Sequence, residues 1–134
     1  KNHDTLAVGL HAQTDANGIT TFDLRFKKPN AGDYITPKAL HTIEHLLATV
    51  LRNSREKDNI VYFGPMGCRT GFYLLTLRLT YDEVLALLKE CIPVALALEE
   101  IPGAKREECG NYLEHDLPAA KKELAAYLAV LEAL

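Results

Sequence analysis

The sequence predicts an α+β fold in which an antiparallel sheet carries its helices on one side. Three observations lead there: two apolar stretches flank a turn-like segment near the start, three later stretches carry apolar residues at helical spacing, and two short strand-like runs lie between the first and second of these. The resulting order of hairpin, helix, two strands, helix, helix is that of an α+β layer with segregated helices.

Leu6 to Leu10 and Ile19 to Phe26 flank Asp15-Ala16-Asn17-Gly18 and read as a hairpin. In the second strand Phe22, Leu24 and Phe26 share one face, so Asp23 and Arg25 point to the other, toward solvent or a site. Pro29-Asn30-Ala31-Gly32 ends the unit. Thr36-Pro37 supplies a capping hydroxyl and a proline at the first helical position, and the helix pattern runs to about Asn53. Leu40, Ile43, Leu47, Val50 and Leu51 form its apolar stripe, with His41, Glu44, His45 and Ala48 nearly opposite. A charged segment from Asn53 to Asn59 precedes a strand beginning at Ile60. That strand enters the tight loop Gly64-Pro65-Met66-Gly67-Cys68-Arg69-Thr70-Gly71, and a further strand spans Phe72 to Thr80, with Tyr73, Leu75, Leu77 and Leu79 on one face. Thr80 and Glu83 form a capping box for the next helix, which Pro93 should kink or divide. Ile101-Pro102-Gly103 breaks the chain, and a last helix follows Asp116 and Pro118.

A length of 134 residues, 48% apolar and 25% charged, is expected to form one domain over 1–134 with its own core. Fifteen basic against 18 acidic residues, all scattered, argue against nucleic acid as a partner. No apolar run approaches the roughly 18 residues of a membrane span, and nothing behind Lys1-Asn2-His3-Asp4 reads as a signal peptide, so a cytoplasmic protein without a membrane partner is expected. The odd, widely spaced Cys68, Cys91 and Cys109 suit a reducing compartment.

The chemistry lies in three segments. His41-Thr42-Ile43-Glu44-His45 sets two imidazoles one turn apart on one helical face, close enough to share a divalent ion, with a carboxylate between them to handle protons. The alternative is a solvated helix face, against which the trio's place off the apolar stripe argues. Three glycines surround Cys68, so a tight turn can present the thiol with room for a ligand, and Arg69, or Arg25 if the sheet brings it near, would favour the thiolate. The competing interpretation is an ordinary turn with a small packed residue. Cys109, after Glu107-Glu108 and before Gly110, can complete a His2Cys set with an open fourth position, or be a packed loop cysteine. Cys91 falls on an apolar stripe and reads as core; His3, His11 and His115 lack helical partners.

Taken in order, His41-Thr-Ile-Glu44-His45-Leu-Leu, Gly64-Pro-Met-Gly-Cys68-Arg-Thr-Gly71 and Glu108-Cys109-Gly-Asn-Tyr resemble the S-ribosylhomocysteine lyases, the LuxS family. Asp23-Leu24-Arg25-Phe26 with Pro29-Asn30 resembles that family's second strand. The resemblance implies a homodimer of the LuxS/metallopeptidase-like fold that cleaves S-ribosyl-L-homocysteine to L-homocysteine and 4,5-dihydroxy-2,3-pentanedione, the autoinducer-2 precursor. It implies His41, His45 and Cys109 as ligands of one divalent ion per subunit, Fe(2+) with Zn(2+) or Co(2+) as substitutes. It further implies Glu44 and Cys68 as general acids and bases, and Arg25, with Gly67 and Arg69 beside the thiol, as substrate contacts. Two departures stand out: the family's Ser-Phe-x-x-Asp-His-like opening stretch precedes or is replaced in this chain, and Tyr62 stands where many members carry an acidic residue.

Two other readings compete. H-x-x-E-H is also an inverzincin peptidase motif, for which Glu114 or Glu123 would be the third ligand. A metal-binding dimerisation module without turnover is the other.

Overall fold

The computed structural model describes residues 2–15 and 17–134. Strands β1 (Gly9–Thr14) and β2 (Ile19–Arg25) form the hairpin, followed by helix α1 (Pro37–Arg52), a 3-10 turn at Lys57–Asn59, strands β3 (Ile60–Pro65) and β4 (Gly71–Leu77), and helices α2 (Tyr81–Leu96) and α3 (Leu117–Glu132). The sheet is antiparallel in the order β1-β2-β4-β3. This is the α+β architecture expected from the sequence.

The hairpin's first strand lies later than the apolar run Leu6–Leu10 suggests. The turn decides this, because the Asp15 carboxylate accepts from Asn17 N at 2.8 Å and Ile19 N at 3.1 Å, and Asp15 N donates to Ile19 O at 2.9 Å. Pairing therefore starts at Thr14 opposite Thr20 and ends at Gly9 opposite Arg25. Ala16, in the expected turn, lies outside the described residues.

Thr36 caps α1 by accepting from Ala39 N at 3.3 Å, with Pro37 in the first turn where its missing N–H costs nothing. Ile43, Leu46, Leu47 and Leu51 are fully buried on the helix, each stabilising the fold by about 1.5–3 kcal/mol. They pack on Phe22, Leu24, Phe72 and Leu74 of the sheet and on Leu87, Leu88, Leu124 and Leu131 of α2 and α3 within one core. Both halves of the Thr80–Glu83 capping box form, at 3.2 and 2.9 Å. Helix α2 is not divided at Pro93 but runs on to Leu96. The proline lies within its last turn, and its missing N–H takes one donor from the Lys89 carbonyl without ending the helix.

The helices cover only the face of the sheet carrying Phe22, Leu24, Phe63, Phe72 and Leu74. On β4 the alternating set Tyr73, Leu75 and Leu77 turns to the other face, where Tyr73 is exposed and the leucines are half-buried. Asp23 and Arg25 share that open face yet are both 2% exposed, so they meet neither solvent nor the helical core.

Candidate metal centre and thiol site

Helix α1 presents His41 and His45 one turn apart, and their rings lie 4.7 Å apart at a steep angle. Each ring is held from behind by a backbone carbonyl: His41 Nδ1 donates to Glu114 O at 2.7 Å and His45 Nδ1 to Pro102 O at 2.9 Å. A neutral imidazole with its proton at Nδ1 keeps a bare lone pair at Nε2. The two Nε2 atoms stand 3.1 Å apart, and Cys109 Sγ, in a turn anchored by its N–H on Lys105 O at 2.9 Å, lies 3.5 Å from one and 3.8 Å from the other. Bare nitrogens facing each other across a thiol are acceptors in need of a cation. The spacing matches neighbouring ligands on a tetrahedral ion with metal–nitrogen distances of about 2.0–2.1 Å and metal–sulfur of about 2.3 Å.

His115 joins this group. Its ring stacks on His41 at 4.1 Å, and a ligand atom of each of His41, His45, Cys109 and His115 lies within 4.8 Å of the others. Burial first, then repulsion from His41 and His45, pushes His115 down to about 4, so it is neutral near pH 7. Its Nε2 is buried with no hydrogen-bond partner among the described residues, a further sign that these donors surround a place for an ion. Its Nδ1 rests 2.9 Å from the hydroxyl of Thr42, which also takes the Asp116 N–H at 2.9 Å. Reading the sequence alone passes over His115, because its partners are 73 and 74 positions away; its one local signal is its place directly before the cap of α3.

Glu44 lines a cleft of about 290 Å³ with His45, Ala48, Arg52, Gly103 and Glu108. Gly103 has φ +69°, and a Cβ there would stand 3.3 Å from His45 Nδ1, so glycine is what lets the Pro102 carbonyl reach that nitrogen. Cys91, by contrast, is buried on α2, and burial pushes its thiol up to about 11, which keeps it protonated.

Cys68 sits apart from the metal donors, in the loop between β3 and β4. Arg25 crosses from β2 to reach it: Nη1 donates to Thr70 Oγ1 at 2.6 Å and lies 3.9 Å from Cys68 Sγ. Asp23 fixes the guanidinium in a fork, Nε to Oδ1 at 3.1 Å and Nη2 to Oδ2 at 2.6 Å. Burial pushes the Cys68 thiol up, but the Thr70 hydroxyl and backbone and then Arg25 outweigh it, leaving the thiol below its ordinary value. Asp23, two residues from Arg25 on the same strand face, and Thr70 are partners to which the motifs assign no role. Asp23→Ala strips a guanidinium that is 2% exposed of its paired carboxylate and is expected to lower stability by about 3 kcal/mol in denaturant melts.

Gly67 has open space around its Cα. The Arg69 side chain donates to Ile35 O at 3.2 Å and lies 5.6 Å over the Tyr34 ring. Tyr62 folds its phenol across Gly64, where any Cβ would collide with it. Arg25 and Asp23 line a second cleft of about 210 Å³ with His3, Gln13, Thr21 and Tyr73 on the open face of the sheet.

Sequence relationships point to one family. Residues 4–133 match the family model described as S-ribosylhomocysteinase (LuxS). Similar proteins named S-ribosylhomocysteine lyase include one from Phocaeicola vulgatus, 51% identical over 82% of this chain and 70% of its own, and one from Borreliella afzelii, 48% identical over 97% and 87%. Another, from Clostridium beijerinckii, is 44% identical over 90% of this chain and 80% of its own. With most of its length matched and its metal donors and thiol arranged as above, the chain belongs to the S-ribosylhomocysteinase (LuxS) family.

Proposed function

We propose that this chain cleaves S-ribosyl-L-homocysteine to L-homocysteine and 4,5-dihydroxy-2,3-pentanedione, the autoinducer-2 precursor, as a single catalytic domain. The observation that carries the reading is the convergence of His41 Nε2, His45 Nε2 and Cys109 Sγ at 3.1–3.8 Å in a chain of this family. A divalent ion held by these three side chains supplies a Lewis acid that makes the carbon-bound protons beside the sugar carbonyl more acidic. Glu44 and Cys68 are the proton carriers. In each of two carbonyl shifts a proton leaves one sugar carbon and another is delivered to its neighbour, moving the carbonyl from C1 to C3. Loss of the C4 proton then sends its electron pair into the C4–C5 bond and expels homocysteine sulfur from C5. Thr70 and then Arg25 favour the charged form of the Cys68 sulfur, and the space at Gly67 admits the sugar beside it; Arg69 acts by bracing the Tyr34–Ile35 segment.

The donor set suits ferrous iron, with zinc or cobalt as substitutes, and three free thiols suit the cytoplasm. Among the described residues no helix is long and apolar enough to cross a membrane. The peptidase alternative is not favoured: Glu123 is committed to Lys27 at 3.0 Å, and the Glu114 carboxylate approaches His41 only at Nδ1, at 4.0 Å.

The same geometry supports a homodimer, which the family resemblance also implies. The thiol network opens on the uncovered face of the sheet, flanked by Tyr62 and Tyr73 at 47% and 41% exposure, while the metal donors lie in the helical layer. A second copy seated on the open face would bury those rings and enclose the substrate. Gel filtration with light scattering is expected to give a dimer, and monomer alone at high concentration would overturn the shared site. The decisive assay for the reaction is thiol release from S-ribosylhomocysteine by iron- or cobalt-loaded protein. No release from folded, metal-loaded protein would sink the lyase assignment.

A further inference from the structure

Thr70 is 1% exposed, and its hydroxyl lies between two groups the reaction needs. Oγ1 accepts from Arg25 Nη1 at 2.6 Å, and its other neighbour, Cys68 Sγ, stands at 3.0 Å, where the hydroxyl hydrogen is free to reach an ionised sulfur. The residue cannot drift from this position. Its carbonyl accepts from both Phe26 N and Lys27 N at 2.9 Å, tying the loop to the end of β2. The direct contact from Arg25 to the sulfur is long, at 3.9 Å, whereas a hydroxyl at 3.0 Å is a full hydrogen bond to sulfur.

We propose that Thr70 is a positioning residue for Cys68: its hydroxyl, oriented by Arg25 and behind it Asp23, donates to the Cys68 sulfur, stabilising its charge and fixing the direction of its free lone pairs. The proposal rests on the assignment of Cys68 as a proton carrier and adds the group through which Arg25 acts on it. With the sulfur ionised, the hydroxyl donates to a thiolate. When a sugar C–H bond breaks, the sulfur takes the proton into a new S–H bond, the electron pair stays on the sugar, and the hydroxyl holds the neutral thiol in place for the return step. The charged and titratable groups on this side are Arg25 and Asp23 from β2, His11 opposite Asp23 on β1, Tyr62 on β3 and Tyr73 on β4, with His3 lining the adjoining cleft; Arg69 donates to Ile35 O.

Valine is isosteric with threonine and keeps the packing while deleting the hydroxyl; serine restores it. The measurement is the pH dependence of Cys68 alkylation by iodoacetamide, read by mass spectrometry on the Cys68 peptide of the metal-loaded protein. In Thr70→Val the alkylation rate at about pH 6–7 is expected to fall roughly ten- to a hundredfold, the value of one hydrogen bond to a charged sulfur, with the rising limb moved to higher pH. Thr70→Ser is expected to follow the parent, with metal content unchanged in both. An unshifted limb in a folded Thr70→Val protein would overturn the proposal. Because alkylation needs no turnover, that result stands apart from a failure of the lyase assignment, which would show as no thiol release by the parent.

Discussion

Cys68→Ala is expected to lower thiol release from S-ribosylhomocysteine by about 10²–10⁴-fold, the range for a positioned general acid or base, while metal content stays at the parent's level. Cys68 lies outside the donor group of His41, His45, Cys109 and His115, so its removal leaves the metal centre intact. A non-catalytic metal module would show no change, and retained turnover would remove Cys68 from the mechanism. Glu44→Gln is expected to act in the same direction. The pH profile adds a sign. On the proposed mechanism Cys68 reacts as its thiolate, and the Thr70 hydroxyl and Arg25 hold its pKa below the ordinary value, so the rate is expected to rise with pH along the acid limb and reach its plateau below the pH at which an ordinary thiol ionises. Arg25→Met removes a group that lowers it and is expected to move that limb to higher pH.

Cys109→Ala and His45→Ala are expected to lose both metal and turnover, with affinity falling more than about 100-fold because each deletes a donor itself rather than a group behind one. Metal analysis after dialysis, with the cobalt-thiolate absorption of the loaded protein, reads this without any assay of the reaction. His115→Ala is the comparison. With its ring stacked on His41 at 4.1 Å and its Nε2 buried in the same pocket, it is expected to cost about 10–100-fold in affinity, the range for outer contacts of a metal site. If Cys109→Ala keeps its metal and its rate, the sulfur is not a ligand.

Much of this was local and therefore legible. The cap at Thr36, the proline beside it and the spacing of Leu40, Ile43 and Leu47 fix α1, and a helix of that phase puts His41, Glu44 and His45 on one side whatever surrounds it. The capping box of α2 and the cap of α3 at Asp116 are of the same kind. The strand signals were weaker. A period of two names both faces of β4 equally, so Tyr73, Leu75 and Leu77 could be recognised as one face but not as the face that the helices leave bare.

The sequence by itself determined the helices, the sheet class and the residues able to do the chemistry, because caps, periodicity and motif spacing act within a few residues. Only the tertiary structure decided which of them meet. The Pro102 and Glu114 carbonyls that set the histidine tautomers stand 57 and 73 positions from their partners, and His115 is 73 from Thr42. The route from Asp23 through Arg25 and Thr70 to Cys68 spans 45 positions between the arginine and the threonine. No local rule encodes such distances; they exist because burying the apolar faces of α1, β2 and α3 in one core leaves the loops between them a single way to close.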